Sequence, residues 1–71
     1  MARYLVITRR AIRNTAPSAR DAVSAEPDVT VIDSSDPHMV TIETSPEKAE
    51  QLRHRLDATH SVEPEIRRGL H

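Results

Sequence analysis

The chain has no cysteine, no phenylalanine and no tryptophan, and among its 71 residues it has one glycine and one tyrosine. Without cysteine there are no disulfide staples and no thiolate metal sites, and nothing marks an oxidising compartment. With Gly69 as the lone glycine, no glycine-rich loop exists to cradle a phosphate. With Tyr4 as the sole aromatic, the core has to be built from Leu, Ile, Val and Ala. No apolar run reaches the length of a signal peptide or a membrane span, so the expected setting is a soluble, cytoplasmic protein without membrane contact. No charge of one sign dominates either. Ten basic against eleven acidic residues leave a net charge of −1, which makes nucleic acid an unlikely partner.

What is present fits one small domain, residues 1–71, with 67–71 as a polar C-terminal tail. At this length only about 60% of the unfolded chain's surface is buried on folding, so stability is expected to be marginal and to gain from a partner. The apolar pattern in both halves argues against disorder.

The organising stretch is Tyr4-Leu5-Val6-Ile7, within a strand over about 3–10. It is apolar on both faces, so it belongs inside a sheet. The reading places Leu5 and Ile7 under helices, and Tyr4 and Val6 on the opposite side. Residues 11–14 are irregular. A first helix is expected from Thr15 or Ala16, with Pro17 in its first turn and a small-residue stripe of Ala16, Ala19, Ala22 and Val23, ending at Glu26-Pro27. Asp28 opens a second strand carrying Val29, Val31 and Ile32. Asp33-Ser34-Ser35-Asp36-Pro37 reads as a turn, and Met39–Thr44 as the third strand of a hairpin. Ser45-Pro46-Glu47 starts a second helix with Ala49, Leu52 and Leu56 on its buried stripe, and Glu50 with Arg53 or His54, and Arg53 with Asp57, as surface pairs. A last strand begins at His60, with Val62 and Ile66 inward, and Pro64 confines it to an edge or a bend.

The order strand, helix, strand, strand, helix, strand folds with right-handed crossovers into an α+β, ferredoxin-like split βαβ sandwich: a four-stranded antiparallel sheet with two helices on one face. The expected core is Leu5, Ile7, Val29, Val31, Val40, Ile42, Val62, Leu52 and Leu56. Tyr4, Val6, Ile32, Met39 and Thr41 remain on the open face.

Little in the sequence carries chemistry. His38, His54, His60 and His71 have no metal-ligand spacing and read as surface histidines. No nucleophile elbow or paired-acid pattern occurs, and Asp33–Asp36 lacks the alternating ligands of a calcium loop. Arg9, Arg10 and Arg13, with Arg67 and Arg68, read as solvated charges rather than an RNA surface, since the sheet offers one aromatic for stacking. The expectation is a protein that is not an enzyme and holds no cofactor or metal. The open apolar face is the interaction signal.

Tyr4-Leu5-Val6-Ile7-Thr8-Arg9-Arg10, Val40-Thr41-Ile42-Glu43, and Leu52 and Leu56 followed by Val62-Glu63-Pro64-Glu65 together resemble the subtilisin propeptide-like inhibitor family. That resemblance implies a ferredoxin-like protein-binding domain that acts as an inhibitor or folding chaperone of a subtilisin-like serine protease. It implies that the open face packs on surface helices of the protease. Glu63 and Glu65 would meet helix N-termini, and the tail after Ile66, with Arg68, Leu70 and His71, would lie in the cleft like a substrate. The family has glycines before the second strand and a Gly-aromatic pair at the start of the third, where this chain has Glu26-Pro27-Asp28 and Pro37-His38-Met39. With Arg68 in place of an aliphatic anchor, weak inhibition or a protease of different preference is expected. The rival reading is a small homo-oligomeric structural or regulatory module that forms a homodimer through the open sheet face.

Overall fold

The computed structural model describes residues 2–12 and 14–65. Four strands, β1 (Ala2–Thr8), β2 (Thr30–Asp36), β3 (Met39–Thr44) and β4 (His60–Pro64), form one antiparallel sheet in the order β2-β3-β1-β4. Two α-helices, α1 (Ala19–Ser24) and α2 (Pro46–Leu56), make the crossovers between β1 and β2 and between β3 and β4. This is the expected ferredoxin-like α+β arrangement, with β1 and β3 central.

α2 begins as its sequence dictates. Ser45 accepts the Lys48 N–H at 3.1 Å, Pro46 occupies the first helical position, and Glu47 sits in the first turn. α1 is a correction. It starts at Ala19, with Ser18 as the cap accepting the Asp21 N–H at 3.2 Å, and Pro17 lies before the cap. Its six residues are too few to roof the sheet, since they span only about 9 Å. A short 3-10 turn, Arg10–Ile12, follows β1.

Residues 33–36 also differ from expectation. They belong to β2, which carries register shifts between Val31 and Asp33 and between Asp33 and Asp36. The turn itself is Pro37-His38, closed by the Asp36 carboxylate accepting the His38 N–H at 2.9 Å. Pro64 sits on edge strand β4, where its missing donor costs no ladder bond.

The core is one cluster: Val6, Val40, Ile42 and Val62 from the sheet, Ala19 and Val23 from α1, and Leu52 from α2, with Tyr4, Val29 and Leu56 packed against it. Val6 faces Val40 on one side and Val62 on the other, so the middle of the sheet presents three β-branched side chains to the helices. The expected facing of β1 is therefore inverted. Val6 is fully buried under the helices, and Leu5 and Ile7 point away from them. Val31 stands opposite Ile42 on the helix side but is 37% exposed, because short α1 leaves edge strand β2 uncovered. Glu26, just past α1, pairs with Lys48 at 3.1 Å and with Arg55, tying the end of α1 to α2.

Candidate functional site

Alternation along the strands, read against the buried positions, fixes what lies on the open face. β1 contributes Arg3, Leu5 and Ile7, and β3 contributes Met39, Thr41 and Glu43. Leu5 lies between Thr41 and Glu63, and Ile7 between Met39 and Ser61. Met39 is 47% exposed, and Ile32, at the register shift in β2, is 42% exposed. Arg3 reaches Glu43 across the β1–β3 ladder at 4.0 Å. Glu65 extends the β4 side by donating its main-chain N–H to the Arg3 carbonyl at 3.0 Å. The result is an apolar centre with carboxylates on both flanks.

Of the residues expected here, Met39, Thr41, Glu63 and Glu65 lie on this face, and Ile32 is exposed beside it. Val6 does not, being buried in the core. Tyr4 is half-buried on the helix side, where with Val62, Pro64, Pro46, Ala49 and Arg53 it lines a groove of about 250 Å³ between the sheet and α2. Arg68, Leu70 and His71, with Ile66 and Arg67, lie outside the described residues, as does Arg13. The residues missed were Leu5 and Ile7. A signal was available in Arg3, the one charge within β1, which shares their parity.

The opposite end of the molecule holds a polar cluster that the sequence reading did not foresee. His60 is 1% exposed rather than on the surface, and Thr8, paired with it across the ladder, is equally buried. The Thr8 hydroxyl accepts the Ala19 N–H at 2.9 Å and lies 3.2 Å from Nδ1 of half-buried His38. Arg20 donates its N–H to the Pro37 carbonyl at 2.9 Å, so the β2–β3 turn is fastened to the start of α1. Among the described residues no buried side-chain polar atom lacks a hydrogen-bond partner. His54 is exposed, as expected. Asp57 pairs with Arg9 rather than Arg53: Arg9 donates from Nε to the Asp57 carbonyl at 2.8 Å. Glu50–Arg53 forms as anticipated.

Among the described residues no group of three or more His, Asp or Glu is placed to hold a metal ion, and no helix is long and apolar enough to cross a membrane. No protein-family model, no curated protein and no solved structure matches the chain.

Proposed function

We propose that the chain is a non-enzymatic protein-binding domain, a propeptide-type inhibitor or folding chaperone of a subtilisin-like serine protease. The observation that supports this reading is the open sheet face, where Leu5, Ile7 and half-exposed Met39 form an apolar centre that neither helix covers. Contiguous apolar area that a small domain's own helices leave uncovered marks a docking surface. In this reading the face packs on surface helices of the protease, with Glu63 and Glu65 at helix N-termini where carboxylates are favoured. The residues after β4 then occupy the substrate cleft.

The test is inhibition of a subtilisin by the purified chain. Inhibition is expected, with Ile7→Asp and Met39→Asp each weakening it at least ~10-fold, the scale of losing one buried apolar anchor. Deletion of residues 67–71 is expected to remove inhibition. No inhibition, or inhibition untouched by that deletion, overturns the proposal.

A further inference from the structure

We infer that the open sheet face is matched to a protein surface bearing lysine and arginine around an apolar patch, and that it repels a second copy of this chain. The inference rests on reading this face as a docking surface and names the chemistry of its partner. On the face, Arg3 is the only described cation, and it is already engaged by Glu43. Against it stand the carboxylates of Glu43, Glu63 and Glu65, with Asp33 opposite Thr41 and Asp36 opposite Met39. Elsewhere among the described residues the six cations equal the six carboxylates. The whole net negative charge of the described part of the chain therefore sits around Leu5, Ile7 and Met39.

That placement discriminates between occupants. A two-fold dimer sets the same patch against itself, so carboxylates would meet carboxylates over the apolar centre, with an engaged Arg3 as the sole offset among the described residues. Nucleic acid and anionic lipid surfaces carry the same sign as the face and are disfavoured for the same reason. An apolar protein patch rimmed by lysine or arginine satisfies both the exposed centre and the flanks.

The test uses only versions of this chain and so does not depend on any protease. Sedimentation equilibrium at low salt is expected to show the natural chain as a monomer. A neutralised variant carrying Asp33→Asn, Asp36→Asn and Glu63→Gln keeps its hydrogen-bond acceptors and is expected to self-associate at least ~10-fold more tightly, a change that shrinks as salt screens the charges. A reversed variant carrying Glu63→Lys and Glu65→Lys supplies the cationic surface and is expected to pair with the natural chain, a pairing that added Ile7→Asp abolishes. Asp33, Asp36 and Glu63 lie on edge strands and Glu65 just past the end of β4, and an unchanged thermal transition verifies that each variant folds. Self-association of the natural chain at low salt as tight as that of the neutralised variant overturns the inference. So does a failure of the folded reversed variant to pair with the natural chain.

Discussion

The imidazole of His60 donates from Nε2 to the main-chain carbonyl of Pro17 at 2.9 Å. A carbonyl only accepts, so this nitrogen carries a proton, while Nδ1 stands 2.7 Å from the Thr59 hydroxyl. One side chain on β4 thus fixes the segment that leads into α1, forty-three residues earlier in the chain. His60 is 1% exposed, so its ring nitrogens have no water to turn to in place of these partners. His60→Phe fills the space but orphans the Pro17 carbonyl, and is expected to cost about 2 kcal/mol. His60→Ala adds a cavity and should cost about 3–4 kcal/mol. Urea denaturation measures both. A His60→Phe chain as stable as the natural one would show that the bond contributes nothing.

The facing of β1 gives a second, sharper contrast. Val6 is fully buried between Val40 and Val62, whereas its neighbour Ile7 is only half-buried on the other side of the sheet. Val6→Ala is expected to destabilise by about 2 kcal/mol, from lost transfer energy and a residual cavity. Val6→Asp should prevent folding, since it buries an unpaired charge. Ile7→Asp places its carboxylate in solvent and should leave a folded chain, with a loss of no more than about 1 kcal/mol. Circular dichroism and denaturant midpoints of the two aspartate variants distinguish the facings directly, because the opposite order would mean that Ile7 lies under the helices.

The pattern that made β1 recognisable as a strand is the same one that concealed its facing. Four consecutive apolar residues satisfy a buried strand in either orientation, and a one-residue change of phase exchanges the two faces. In β3 the alternation of Val40 and Ile42 with Thr41 and Glu43 left no such freedom, and its facing was legible. The second helix was equally plain, because Ser45, Pro46 and Glu47 each favour the first turn for a separate reason. For α1, Pro17 drew attention as a first-turn residue, while Ser18 followed three residues later by Asp21 was the operative start. The open face itself was legible in outline, through Met39, Thr41, Glu63 and Glu65. Its centre was not, because that depended on the phase of β1. The burial of His60 was beyond reach: a polar residue goes inside when distant main-chain groups receive it, and Pro17 is distant in sequence.

Asp28 has a backbone φ of 64°, the one non-glycine residue with positive φ among those described. This left-handed region costs most side chains about 1–2 kcal/mol, and aspartate tolerates it better than β-branched residues do. Its carbonyl accepts the hydroxyl of fully buried Thr44 at 2.7 Å, which holds the turn in place at the start of β2. Asp28→Val should therefore destabilise by about 1–2 kcal/mol, while Asp28→Gly should fall within about 1 kcal/mol of the natural chain. Thr44→Val removes the bond and leaves the carbonyl short of a partner, at a cost of about 1–2 kcal/mol. Thermal melts of the three variants check the ranking. Equal stability of the glycine and valine variants would mean that the strained turn is absent.

Asp33 lies on the acidic flank of the open face and accepts two bonds from Ser35, one from its hydroxyl and one from its main-chain N–H at 2.9 Å. Both favour the charged carboxylate, the hydroxyl more than the amide, and hold the carboxyl below its ordinary value of 3.8. The folded value is depressed relative to the unfolded one. The bonds' contribution to stability is therefore present above 3.8 and lost as pH falls through the lower folded value. Carboxyl carbon NMR should place the Asp33 midpoint below that of an unperturbed aspartate, and Ser35→Ala, which keeps only the amide bond, should move it back up. The same substitution frees an outward carboxylate without neutralising it, so binding of a cationic partner at neutral pH should survive Ser35→Ala and weaken with Asp33→Asn. If both variants bind equally weakly, the local turn rather than the charge is what the partner reads.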